Sequence, residues 1–380
     1  MTATLPSHET PLAGLRVLDF GQGVASPYAG YLMAAYGADV IKIEPPEGDW
    51  SRRLGTTYGD QSALSAVYNR GKRNLILDLK SSDAITTARR LARGADVVIE
   101  GFRPGVMDRL GLGYADLSAD NPRLIYLSIS GFGRSGPYAQ RPCSDSVAQA
   151  FAGLVAVNAG ADGVPHRVGA TLSDVCTGLY GYQAIATALI ARSTVGRGRH
   201  IDVSLTQSTA ALLGHKFAEY ALEGGTPRAL NAPAGSYKTS DGWLMVTLVT
   251  EAQYVRLCTV LGRDDLARDP RFASFALRAN CVDELTAVLR ASFATDTTEA
   301  WLKRLHAADI IADRILGPTD WLSNDHVVAT KGRLQTDTPG VGNVVAPRTP
   351  GTTGTYEDRL KAAPDLSDAS DPTAVDWLKA

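Results

Sequence analysis

Leu15-Arg-Val-Leu-Asp-Phe-Gly-Gln-Gly-Val-Ala-Ser-Pro27 reads as a short strand at 15–19, a glycine-containing turn at 21–26 and a helix entered at Pro27. An imino acid suits a first helical position, where the missing N–H would have had no partner. Gly37 stops that helix near Tyr36, and Val40-Ile-Lys-Ile-Glu44 is the next strand. The same alternation continues outward: strands at 75–78, 96–100 and 124–129, with helices at 82–93 and 106–110. Strands and helices alternating at this spacing predict a parallel, doubly wound α/β sheet. Ligands of such sheets collect in loops at the carboxyl ends of the strands, here 20–27, 44–53, 100–105 and 130–145.

The turn half matches a dinucleotide fingerprint. Gly21 and Gly23 are in place and Glu44 ends the next strand, but Ser26 replaces the third glycine. A nicotinamide dehydrogenase therefore ranks last among the readings, and neither NAD nor a metal is expected. The six histidines have no metal spacing, and the four cysteines (143, 176, 258 and 281) form no CxxC pair. Hydrophobic residues make up 44% of the 380 positions and the net charge is −2, so neither nucleic acid nor an anionic membrane is an expected partner. With no membrane-length apolar run and no leader pattern, the expected location is the cytoplasm.

A second stretch, Val168-Gly-Ala-Thr-Leu-Ser-Asp174, leads into a helix from Val175 to Ala191 that has no charged residue before Arg192. Such a helix should be buried, with Ser173 or Asp174 as its N-cap. The open amides there favour an ionised carboxylate, although an aspartate at a helix start is by default only a cap. Cys176 reads as a small buried residue rather than a nucleophile. Beyond it lie a strand at 200–205 and one helix from Thr206 to Leu222, with His200 and His215 read as structural. A strand pair follows around Asp241-Gly242, then helices near 251–261, 281–293 and 298–307. The last opens with a capping-box pattern, Asp296-Thr-Thr-Glu299. The tail from about 330 reads as extended or loop-like and should pack back on the first domain. Arg103, Arg109 and Arg141 flank strand ends, where single arginines are usually solvated.

Several segments together resemble the class III coenzyme A transferases, a family that includes formyl-CoA and carnitine CoA transferases and the α-methylacyl-CoA racemases. They are Leu12-Ala-Gly-Leu-Arg-Val-Leu-Asp-Phe20, Tyr36-Gly-Ala-Asp-Val-Ile-Lys-Ile-Glu-Pro45, Asn69-Arg-Gly-Lys-Arg73, Phe102-Arg-Pro-Gly-Val-Met-Asp-Arg-Leu-Gly-Leu-Gly113, Ser130-Gly-Phe-Gly133, Leu261-Gly-Arg-Asp-Asp-Leu266 and Asp269-Pro-Arg-Phe272. The resemblance runs in order from about 11 to 350. It implies a large Rossmann-like domain at 1–224 completed by 330–380, a smaller α+β domain at 225–329, and a homodimer of interlocked subunits. The family's catalytic aspartate falls on Asp174. The coenzyme A site falls on Val24, Ala25, Leu77, Asp78, Leu79, Lys80, Gly101, Phe102, Arg103, Arg109, Ser144 and Asp145. Amides of Ala234-Gly235-Ser236 are the expected oxyanion donors, with Glu251 as an assisting acid. Many relatives have Asn where this chain has Gly101.

The implied activity moves coenzyme A from an acyl-CoA to a carboxylic acid through an aspartyl anhydride and an aspartyl-CoA thioester, with succinyl-CoA as a candidate donor. A racemase or epimerase of branched acyl-CoA is the first alternative, but its histidine falls on Ser144, which is no base at neutral pH. A coenzyme A-binding module without turnover is the second. Arg52, Arg53 and Lys238 lie in loops that could meet a second carboxylate, which predicts a preference for dicarboxylic acids.

Overall fold

The computed structural model describes residues 7–159, 163–225, 227–229, 231–352, 354–369, 375 and 377. Two compact units emerge: 1–214 together with 326–380, and 215–325.

In the first unit, strands β1 (Arg16–Asp19), β2 (Asp39–Glu44), β3 (Arg73–Ile76), β4 (Val97–Glu100), β5 (Ile125–Ser130) and β6 (His200–Ser204) form one six-stranded sheet in the order β3-β2-β1-β4-β5-β6. Every pairing in it is parallel. The order runs outward from β1 in one direction and from β4 in the other, so the switch point lies between these two strands. Both faces are covered. Val17, Val40, Val97 and Ile99 join one buried cluster, while Leu18, Ile41 and Val98 join another. That alternation along each strand puts apolar side chains into both layers.

Helix α1 (Ala25–Ala35) begins two residues before Pro27, and α2 spans Ser82–Arg93. The short helix α3 (Asp145–Phe151) precedes the long α4 (Leu172–Val195). Helices α1 and α4 pack closely: a Cβ added to Gly178 would lie 2.6 Å from the Ala25 carbonyl oxygen.

The expectation that α4 is buried all round is corrected. Cys176, Gly181, Ile185 and Ala188 face the core, whereas Leu179 and Ile190 are 51% and 74% exposed. Absence of charge marked a helix with two apolar faces, of which the fold of this unit covers one. The single helix expected at 206–222 is instead two, α5 (Leu205–Leu212) and α6 (Gly214–Leu222), broken at Leu213 just before Gly214, a residue that weakens a helix.

The tail is more ordered than expected. Strands Arg333–Thr338 and Gly342–Pro347 form an antiparallel hairpin, turning through Val341 N–H to the Thr338 carbonyl at 3.0 Å. Buried Glu357 then accepts from Tyr31 Oη at 2.6 Å and from Thr349 Oγ1 at 2.7 Å, which ties this end of the chain to α1.

The second unit holds a three-stranded antiparallel sheet of Gly235–Lys238, Trp243–Thr247 and Ile311–Arg314. The third strand escaped the sequence reading because its Asp and Arg residues break the apolar pattern. Helices Glu251–Val260, Val282–Phe293 and Thr298–Ala307 bury Leu257, Leu289, Phe293 and Trp301 against the sheet. The expected capping box is corrected: Thr297, not Asp296, caps the last helix by accepting from Ala300 N–H. No helix among the described residues is long and apolar enough to cross a membrane.

Candidate active site

At the switch point, β1 and β4 release the loops 20–24 and 101–103. A cavity of about 340 Å3 opens there, walled by Phe20, Gln22, Val24, Ala25, Trp50, Gly101, Phe102, Ser144, Asp145 and Asp174 among others. A second cavity of about 270 Å3 shares Phe20, Gln22 and Phe102 with it and continues along Leu77, Asp78, Leu79 and Lys80. The structure thus brings Asp174 together with Val24, Ala25, Gly101, Phe102, Ser144 and Asp145, and places 77–80 on the adjoining stretch. Arg103 and Arg109 line neither cavity and are exposed on the segment after Phe102. The Arg141 guanidinium stacks 3.8 Å over the Tyr138 ring.

Asp174 is held by its backbone. The expected N-cap at Ser173 or Asp174 is corrected: α4 starts at Leu172 after Thr171, and no side chain of its own caps it. Asp145 Oδ1 on α3 instead accepts the Asp174 N–H at 3.2 Å, while Gln149 Nε2 donates to Asp145 Oδ2 at 2.6 Å. Gln149 also accepts from Val168 N–H at 2.9 Å and donates to the Ala170 carbonyl at 3.2 Å, fixing the approach to the helix. Ser173 points the other way: its Oγ accepts from Thr209, and its carbonyl accepts from Thr177 and Cys176. With capping supplied by Asp145, no described residue hydrogen-bonds the Asp174 carboxylate.

Burial, and next the like charge of Asp145, push the Asp174 carboxyl up from 3.8 to about 7. Glu100, under the 101–103 loop, is likewise pushed up to about 7 by burial, while its Oε2 accepts from Phe102 N–H at 2.8 Å. The Cys176 thiol is buried and raised to about 11 by desolvation, consistent with a packing role. His200 is also structural, with Nε2 2.9 Å from Ser128 Oγ and its ring stacked on Tyr114.

A buried charge network supports the floor of the site. Lys42 donates to the Gly21 carbonyl at 2.6 Å and pairs with Asp49 at 2.8 Å, and Asp49 accepts from Gly23 N–H at 3.0 Å. Lys72 binds Asp19 at 2.8 Å and the Pro27 carbonyl at 2.7 Å. Gly23 has φ +82° with the Trp50 ring packed against it, so a side chain there would be strained and would also strike the indole.

The expectation that Arg52 meets substrate is corrected. Arg52 is 2% exposed and makes a two-pronged bond to buried Glu44, both contacts at 2.7 Å. Arg53 donates to the Glu47 carbonyl. Sequence reasoning missed Gln22, Trp50 and Cys143 as cavity walls. All three lie in loops picked out at strand ends (20–27, 44–53 and 130–145), which was the available signal.

In the second unit, Gly235 and Ser236 pair with Val246 and Met245, and the Ala234 N–H already donates to the Asn231 carbonyl at 2.8 Å. Ala234 therefore has no spare amide for an oxyanion in this arrangement. Glu251 is fully engaged: Oε1 accepts from Phe275 N–H at 2.7 Å and Oε2 from Arg278 at 2.6 Å. Arg278 in turn donates to the Ala232 carbonyl at 2.9 Å. Glu251 thus fixes the turn before Gly235 through Arg278.

Fold and site together define an α/β protein with a Rossmann-type strand order and a desolvated carboxylate at its ligand crevice. The model of CoA-transferase family III matches residues 12–369. The chain is 35% identical over 367 residues to acetyl-CoA:oxalate CoA-transferase of Acetobacter aceti, covering 94% of this chain and 93% of that protein. It is 37% identical over 314 residues to succinate–glutarate CoA-transferase of Agrobacterium fabrum, covering 79% and 77%. A solved CAIB/BAIF family protein from Brucella suis superposes with a TM-score of 0.82 at 34% identity, over 95% of this chain and 97% of that one. The chain belongs to CoA-transferase family III and is an enzyme of that class.

Proposed function

We propose that the enzyme moves coenzyme A from an acyl-CoA to a carboxylic acid with Asp174 as nucleophile. One observation carries this reading: the Asp174 carboxylate lies at the switch-point cavity with no hydrogen bond from any described residue. An Asp174 oxygen attacks the thioester carbonyl, the C–S bond breaks and CoA thiolate leaves, giving an aspartyl mixed anhydride. The thiolate then attacks the aspartyl carbonyl, releasing the donor acid as its carboxylate and leaving an aspartyl-CoA thioester. The acceptor carboxylate displaces the thiolate to form a second anhydride. Attack of the thiolate on the acceptor's carbonyl gives the new acyl-CoA and restores Asp174. No proton is consumed in the cycle.

A carboxylate is a weak nucleophile in water, so desolvation and orientation carry much of the acceleration. Burial of Asp174 and the clamp on its backbone supply both. The adjoining cavity with Lys80 suits the coenzyme's acidic groups, as Arg103 and Arg109 do by charge. Gly235 and Ser236 remain the candidate oxyanion loop, with Glu251 and Arg278 as its support. The proposal includes the interlocked homodimer, which the exposed Leu179, Ile190 and Val195 on α4 support. Racemisation would need a base opposite Asp174. The cavity offers Ser144 and a Cys143 thiol held up at about 11 by burial, so we place that reading second. The test is exchange of labelled acid into acyl-CoA: wild type should exchange and Asp174→Ala should not. Exchange that persists in the variant would refute the assignment.

A further inference from the structure

Glu100 ends β4, where the chain leaves the sheet for the 101–103 turn. A glutamate at a strand end is usually solvated, yet Glu100 is 1% exposed. A dehydrated carboxylate is costly unless donors face it. Here Oε2 accepts the Phe102 N–H at 2.8 Å, two residues further on. Ser128, the cross-strand partner of Glu100 on β5, adds a hydrogen bond from its hydroxyl, which lies 2.9 Å from His200 Nε2 on β6. Arg134 stands farther off, Nη1 to Oε1 at 3.5 Å, and is shared with Asp108 at 2.9 Å. The Glu100 backbone is engaged as well: its carbonyl meets Ser26 Oγ, from the start of α1, at 3.4 Å.

The turn so held is the wall that the two cavities share: Phe102 lines both, and Gly101 lines the one at Asp174. Glu100 lines neither, so it reaches a ligand only through this turn. Gly101 makes the turn dependent on a brace. A glycine leaves the backbone free, and a side chain there is closed off by Ser26 Oγ, 2.5 Å from where its Cβ would stand. Resting on the transferase reading, we infer that Glu100 is a positioning residue for coenzyme A, presenting Gly101 and Phe102 through its bond to the Phe102 N–H. The brace lies wholly within the first unit and is already shut off from solvent there. Its effect depends on reach: a side-chain oxygen has to stand at the Phe102 amide.

The test is titration calorimetry of coenzyme A into the full-length enzyme, paired with single-turnover formation of the Asp174 adduct from succinyl-CoA. Glu100→Ala should raise the Kd about tenfold or more, the scale of one hydrogen bond to a charged group. The adduct rate at saturating succinyl-CoA should stay within about twofold, since the loss falls on binding. Glu100→Gln keeps an oxygen at the same reach and should recover most of the affinity. Glu100→Asp keeps the charge but falls short of the amide, and should bind as weakly as the alanine variant. These two conservative variants carry the test if Glu100→Ala does not fold. Tight binding by Glu100→Asp with weak binding by Glu100→Gln would show that charge, not the bond to Phe102, matters, and would overturn the inference. So would an unchanged Kd in all three, or a loss confined to the rate at saturation. No coenzyme A binding and no Asp174 adduct in wild type would overturn the transferase reading itself.

Discussion

The backbone N–H of Asp174 donates to the side chain of Asp145 across 3.2 Å, so one carboxylate anchors the helix turn that presents another. The contact does two things. It relieves the Asp174 side chain of capping duty, and it sets a second negative charge beside it, adding to the effect of burial.

Asp145→Asn keeps an acceptor for that N–H but removes the charge. The Asp174 carboxyl should then fall below about 7, though not to 3.8, because burial is the larger cause. If Asp174 is the nucleophile, activity of wild type rises as pH passes through about 7 and the acid limb of the variant's profile lies at lower pH. A pH–rate profile of the first half-reaction checks this; unchanged limbs would remove Asp145 from the account.

The same shift has a stability consequence of fixed sign. Asp174 binds its proton more tightly in the folded chain, at about 7, than at the ordinary 3.8. Its contribution is therefore intact below about 3.8 and is lost as pH rises to about 7. Asp174→Asn cannot ionise, so its stability should gain on wild type between these values and level off above, by on the order of 4 kcal/mol, read as a rising difference in Tm. Thermal melts across the range measure it, and a variant less stable at pH 8 than wild type would contradict it.

Arg52 is a structural residue. Arg52→Ala leaves Glu44 buried without its partner and should cost about 3–5 kcal/mol, seen as a lower urea midpoint. Acid selectivity among the molecules that remain folded should not change. A selectivity change at unaltered stability would restore Arg52 to the substrate.

Gly101 and Ser26 are coupled. A Cβ built on Gly101 would lie 2.5 Å from Ser26 Oγ, so Gly101→Asn must push that hydroxyl off the Glu100 carbonyl it contacts at 3.4 Å. The variant should raise KM for the acyl-CoA about tenfold, a loss of 1.4 kcal/mol in binding, and Ser26→Ala in the same chain should recover most of it. Additive losses in the double variant would show that the two sites act separately.

Much of this fold was legible because its strands are buried on both faces, giving runs such as Val97-Val98-Ile99 that stand out between helices. The loops at strand ends followed from that, and Asp174 from family resemblance. Charge was what misled. Arg52 sits in a Pro- and Gly-rich loop that looks solvated, yet 44–53 folds inward onto Glu44 and Lys42. Trp50 became a cavity wall for the same reason, since its place depends on a packing partner, Gly23, that lies far away in sequence. The Thr171–Asp174 start was misread because the acceptor that caps it comes from another helix. No local pattern records a cap supplied by Asp145.

The central claim is that Asp174 forms a covalent bond to the acyl group and then to coenzyme A. Intact-protein mass spectrometry after mixing with butyryl-CoA or succinyl-CoA, with acid quench and hydroxylamine trapping, tests it on wild type and Asp174→Ala. The account predicts an adduct that maps to Asp174 and is absent from the variant. No adduct from either donor, together with deuterium wash-in at the α-carbon of a 2-methylacyl-CoA, would contradict it and make the enzyme a racemase.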